Sequence, residues 1–122
     1  MIRGDNMTDE RIIIGHISEV KEEDVEGAKL TKIQWLIHKE NGAKRYAMRR
    51  FTIKRGGEIP KHKHPWEHEI YILSGSGVVG IGDKEYNVSE DMFLYIPPNV
   101  EHWYRNDGDE DWVFLCIIPL LE

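Results

Sequence analysis

Short runs with apolar residues at every second position, cut by glycine, proline and asparagine, dominate this chain of 122 residues and decide its fold class. Ile33, Trp35 and Ile37 alternate through 30–38. Asn41-Gly42 then reads as a hairpin turn, since both residues tolerate positive φ. Residues 44–54 read as the return strand, with Phe51 and Ile53 in phase and Gly56-Gly57 as its end. Further strands are predicted at 11–17, near 60–64, and at 68–73, 78–81, 85–88, 92–96, 101–106 and 112–118. The breaks between them include Ser74-Gly75-Ser76-Gly77, Gly82-Asp83, Pro97-Pro98-Asn99 and Asn106-Asp107-Gly108. Residues 18–29 read as turn or loop. A period of two sends alternate side chains to opposite faces. Many short strands at near-regular spacing predict an all-β sandwich or barrel. The polar residues 1–10 are expected to form a mobile tip. Residues 11–122 then make one domain, within the common size of about 100–150 residues.

Charge narrows the partners. Sixteen Lys and Arg are spread among twenty-two Asp and Glu, for a net charge of −6, with no dense basic block. Nucleic acid and anionic membrane are therefore excluded as first expectations. No apolar run approaches the roughly 20 residues of a membrane span, and the N-terminus shows no apolar leader. Cys116, the one cysteine, cannot close an internal disulfide. These features predict a cytoplasmic protein.

Chemistry concentrates in the histidines. Of six, three fall within Pro60-Lys61-His62-Lys63-His64-Pro65-Trp66-Glu67-His68-Glu69. Positions 62, 64 and 68 share parity, so an extended backbone running through Pro65 puts their rings on one side and Glu67 and Glu69 on the other. Imidazole is the commonest metal ligand. Three convergent rings and a fourth, His102, can hold one divalent transition metal with positions left open. His16 and His38 lack such context and read as ordinary histidines.

These residues resemble the two motifs of the cupin superfamily. The first motif appears as Gly56, five residues, His62-Lys63-His64, three residues, His68, six residues, Gly75. His68 occupies the usual glutamate slot. The alternative, Glu69, would require a glycine where Ser76 stands. The second appears as Asp91, five residues, Pro97-Pro98-Asn99, two residues, His102, three residues, Asn106. Its two framework glycines are replaced by Asp91 and Asn99, the residue types that best tolerate left-handed backbone. The run 62–69 and the ending Phe114-Leu115-Cys116-Ile117-Ile118-Pro119 are similar to a group of small four-histidine monocupins.

The resemblance implies a double-stranded β-helix, or jelly-roll barrel. It implies one divalent metal per chain on His62, His64, His68 and His102: manganese first, with iron, zinc, nickel or copper as alternatives. Four neutral imidazoles leave the ion's charge uncompensated, which favours anionic or enolic oxygen donors. The expected function is a manganese- or iron-dependent oxygenase acting on a small oxygenated or unsaturated compound. The alternatives are a non-catalytic sensing module and a Lewis-acid isomerase or hydrolase. An apolar cavity is expected beside the ion, with Phe51, Ile53, Tyr71, Phe93, Tyr95, Trp103, Tyr104, Phe114 and Cys116 as lining candidates. Cys116 reads as a buried apolar residue, and Arg49 and Arg50 as solvated cations, with anchoring of a substrate carboxylate by one of them as the alternative. Along 112–118 both alternating faces are apolar, so one needs a cover. This predicts a homodimer, with 11–17 pairing either with its own barrel or with the neighbour's.

Overall fold

In the computed structural model the backbone is described for residues 2–4 and 11–121, and side chains for 12–121. The strands in chain order are β1 (Ile2–Gly4), β2 (Arg11–Ile13), β3 (Glu23–Asp24), β4 (Lys29–Ile37), β5 (Tyr46–His62), β6 (His68–Ser74), β7 (Ser76–Ile81), β8 (Lys84–Ser89), β9 (Phe93–Ile96), β10 (His102–Arg105) and β11 (Trp112–Pro119). Single 3₁₀ turns lie at Ile17–Glu19 and Lys39–Asn41. No helix among the described residues is long and apolar enough to cross a membrane.

One curled antiparallel sheet carries the order β8-β7-β10-β5-β11-β6-β9, with β4 on β5 and β3 on β4. This is the all-β architecture expected from the alternation, in the jelly-roll form that the resemblance implies. Strand β5 organises it. Its first half pairs with β11 and its second half with β10, while β4 pairs mainly with the first half and reaches Glu58 through Lys29. The strand therefore does not end at Gly56-Gly57, as their turn chemistry predicts. Gly56, at φ +81, instead bends the strand and lets it continue for 17 residues to His62. The segment expected as a strand at 11–17 is strand only over Arg11–Ile13, and it pairs with β1 and no strand of the large sheet. Most of the tip expected over 1–10 lies outside the described residues; of it, Ile2–Gly4 forms β1.

The core lies inside the curl. Ile53, Ile72, Val79, Ile96 and Trp112 are fully buried, with Phe114 and Cys116 almost so. Asn106 is also buried and ties the barrel together. Its Nδ2 donates to the carbonyls of Ile53 and Glu110, each at 2.8 Å, and its Oδ1 accepts from the Gly108 N–H at 3.0 Å. This satisfies a polar group that would otherwise be costly to bury. The two replaced framework glycines behave as their side chains allow: Asp91 has φ 71 and Asn99 φ 64.

Gly75 is required for two reasons. Its φ is +78, and a Cβ there would lie 2.2 Å from the Asp111 carbonyl oxygen and 2.9 Å from Trp112 Cα, both backbone atoms that cannot rotate away. Gly82 has φ +64 with nothing within 4 Å. Gly75→Ala is therefore expected to destabilise by more than the roughly 1–3 kcal/mol of left-handed strain alone, and Gly82→Ala by less than Gly75→Ala. Urea denaturation midpoints check this; equal midpoints for the two variants would contradict it.

Candidate metal centre

Register brings the histidines together. His62 ends β5 and stands directly opposite His102, which begins β10. His68 begins β6. His64 lies in the link between β5 and β6, which bends at Pro65-Trp66 rather than staying extended. Convergence thus comes from this bend and from cross-strand pairing, and not from the single extended run assumed from parity. Ring centroids are 4.2 Å apart for His62–His102, 5.0 Å for His62–His64, 4.8 Å for His68–His102 and 5.4 Å for His64–His68.

The ligating atoms of His62, His64 and His102 lie within 4.8 Å of one another. His68 sits beside this group rather than within that radius. Glu69 is exposed. His16 and His38 stand apart from the cluster. His16 caps the first 3₁₀ turn through the Ser18 N–H, and His38 packs on Trp35.

The ring hydrogen bonds determine which nitrogens are free. His62 Nδ1 meets the Pro60 carbonyl at 2.7 Å, and His102 Nδ1 meets the Val100 carbonyl at 3.0 Å. A carbonyl only accepts, so each Nδ1 carries the proton and each Nε2 keeps its lone pair. His68 Nδ1 contacts Cys116 Sγ at 3.3 Å. The Nε2 atoms of His68 and His102 are buried with no hydrogen-bond partner. Buried polar atoms without a partner are uncommon and call for an explanation. Backbone carbonyls orienting imidazoles by the far nitrogen are the usual support of metal-ligating histidines. The donor set therefore fits a divalent transition metal.

Burial also favours the neutral form of His64, His68 and His102, the form in which imidazole ligates. It pushes His68 down to about 3, with His102 and Arg49 adding to the effect. It pushes His102 down to about 4, against the opposing effect of the hydrogen bond that its ring donates to the Val100 carbonyl. His64 is lowered too, by burial and then by its neighbour His62.

A cavity of about 350 Å³ opens beside the cluster. Of the residues predicted to line it, Phe51, Tyr104, Phe114 and Cys116 do so, together with His62, His64 and His68. Phe114 stacks between Phe51 and Tyr104, with centroids 5.4 Å away on each side. Five of the predicted lining residues do not line the cavity. Ile53 is fully buried core behind the cavity wall. Tyr71 and Phe93 are 43% and 80% exposed on the outer face, where Tyr95 joins them. Trp103 lies on the opposite side of β10 from His102, covering Gly80 under Arg105. Alternation shows that two residues share a face but not which face is concave.

Arg49 is misplaced in the opposite direction, expected in solvent but found on the cavity wall. It lines the cavity, half-buried, whereas Arg50 turns outward to Gln34. The available signal was its phase, since it alternates with Ala47, Phe51 and Ile53, all of them buried. Val25, Ile33 and Ile59, also on the cavity wall, were missed because they come from distant segments. Cys116 is buried as expected, and burial raises its thiol pKa while Arg49 opposes the rise.

Comparison with known proteins agrees with this geometry. The Cupin domain model matches residues 49–118. The chain is 31% identical over 117 residues to the xanthan biosynthesis protein XanB of Xanthomonas campestris pv. campestris (strain B100), covering 83% of this chain and 25% of that protein. It thus spans about a quarter of that relative's length. Among solved structures it is similar to the polyketide cyclase RemF from Streptomyces resistomycificus. That match has a TM-score of 0.84 and 32% identity, over 88% of this chain and 79% of RemF. It is also similar to a predicted oxalate decarboxylase from Thermotoga maritima, with a TM-score of 0.78 and 29% identity, over 89% of this chain and all of that one. The motif spacing, the β5–β10 histidine pair and the matched domain lead to one conclusion: the chain belongs to the cupin family.

Proposed function

We propose that the chain is a metal-dependent enzyme acting on a small oxygenated or unsaturated compound, with one divalent transition metal held by His62, His64, His102 and His68. The observation that carries this reading is the pair of buried, partnerless Nε2 atoms on His68 and His102 beside His62 and His64. A bound divalent ion supplies Lewis acidity, and manganese or iron adds redox capacity. The chain's own residues do the rest. The carbonyls of Pro60 and Val100 hold two ring protons away from the centre. Phe51, Phe114, Ile33 and Ile59 exclude water from the cavity wall. Burial pushes the Tyr104 phenol well above its ordinary value of 10, so it faces the cavity as a neutral hydroxyl.

The first reading is an oxygenase, favoured by a neutral ligand set in an apolar setting. A Lewis-acid reaction without oxygen is the second, favoured by the 32% identity to a polyketide cyclase. A panel of diketones, phenols and styrenes, turned over by manganese-, iron- and zinc-loaded protein under air and under argon, separates them. Turnover that requires both oxygen and a redox metal is expected. Equal turnover under argon would favour the second reading.

We also propose a homodimer. Leu115, Tyr71 and Phe93 lie side by side on β11, β6 and β9, and Tyr71 and Phe93 are exposed. A second copy is the expected cover. Light scattering at micromolar concentration is expected to give about twice the chain mass of 14.3 kDa; a monomer mass would refute this.

A further inference from the structure

Arg49 stands on the cavity wall with its charge unanswered. Its guanidinium lies over Phe51 at 5.0 Å and Trp35 at 5.6 Å. Its Nη2 donates to Cys116 Sγ at 2.9 Å, a weak acceptor. Its Nε is buried with no partner. Among the described residues the ion pairs are Lys32–Asp24 and Arg105–Glu85, and no carboxylate pairs with Arg49. Cation–π contacts offset part of the cost of keeping a guanidinium there. They do not replace a bidentate oxygen acceptor, which is what the planar fork matches best.

The position of this cation matters. Arg49 reaches Cys116, and Cys116 reaches His68, so the guanidinium lies two contacts from the histidine cluster. Of the charged groups lining the cavity, Lys61 and Glu26 are both exposed and opposite in sign, which leaves the half-buried Arg49 as the charge facing the interior. With neutral histidines the cavity has an excess of positive charge, which a bound divalent ion would increase. Its volume is near the lower end of ligand sites, about 300–1,000 Å³. Phe51, Phe114 and Ile59 make the rest of the wall apolar.

We propose that Arg49 anchors the carboxylate of a small organic acid with an apolar body. The acid's body lies against Phe51, Phe114 and Ile59, and its anionic end lies between Arg49 and the histidine cluster. This deepens the function proposed above and rests on its reading of the cavity as the ligand site.

Isothermal titration of phenylacetate and of neutral phenylacetamide tests it, on zinc-loaded and on metal-free protein in a carboxylate-free buffer. Wild type is expected to prefer phenylacetate by about tenfold or more in both forms, the value of a charge-assisted hydrogen bond. Arg49→Met is expected to remove that preference, weakening phenylacetate binding far more than phenylacetamide binding, with zinc stoichiometry unchanged. Arg49→Gln, which keeps a donor for Cys116, serves if the methionine variant melts early by circular dichroism. Preference unchanged in the arginine variants, or absent from wild type, overturns the inference. The metal reading is judged separately by zinc content. Full zinc binding without an arginine-dependent preference sinks this inference alone. An arginine-dependent preference in protein that takes up no zinc sustains it and sinks the metal centre.

Discussion

Replacing His68 and His102 together by alanine is expected to abolish stoichiometric metal binding. Both rings are buried, at 3% and 1% exposure, and both offer a partnerless Nε2. His62 and His64 would remain, half-buried and able to ligate weakly. Metal content after dialysis should fall from about one ion per chain to less than about a tenth, since loss of even an outer-shell partner typically costs 10–100-fold in affinity. Full occupancy in the double variant would refute the ligand assignment.

The same variant should change the acid stability of the metal-free protein. In the unfolded chain these imidazoles titrate near 6.5, whereas in the fold His68 is held down to about 3 and His102 to about 4. As pH falls below 6.5 the unfolded state therefore binds protons that the folded state refuses. Stability from these groups is complete above about 6.5 and is lost progressively toward 4 and then 3. Metal-free wild type should thus lose more stability between pH 7 and pH 5 than the double variant does. Denaturation midpoints at the two pH values decide it; identical losses would show that the two histidines are not the acid-sensitive groups.

Trp112→Ala is expected to cost about 3–5 kcal/mol, the range for emptying a large aromatic site, against a total stability of roughly 5–15 kcal/mol. Trp112 is fully buried, packs on Phe114 at 5.1 Å and on Tyr104 at 6.2 Å, and lies flat on Gly77. A Cβ at Gly77 would come within 2.2 Å of the indole, so glycine and tryptophan form one unit. The indole Nε1 has no partner, so Trp112→Phe forfeits packing but no hydrogen bond and should cost much less. Urea denaturation at neutral pH measures both. A loss under about 1 kcal/mol in Trp112→Ala would mean that neighbouring side chains collapse into the space.

Several features were legible in the sequence because they depend on local chemistry. Alternating runs broken by Gly, Pro and Asn specify strands and turns whatever surrounds them, and most strands fall within a residue or two of their predicted bounds. Asp91 and Asn99 adopt left-handed backbone because their own side chains permit it. Motif spacing singled out four histidines, and the fold brings their rings near one another, three from strand ends and His64 from the link between β5 and β6. Tertiary structure decided the rest. Gly56-Gly57 bends β5 instead of ending it, since pairing with β11 before the bend, with β10 after it and with β4 on both sides outweighs the glycines' preference for a turn. Tyr71, Phe93 and Trp103 fall outside the barrel and Arg49 inside it. Period-two alternation separates two faces without saying which is concave, and only closure of the sheet distinguishes them. The Arg49–Cys116–His68 chain of contacts joins residues 67 and 48 positions apart in sequence, a proximity that no local pattern encodes.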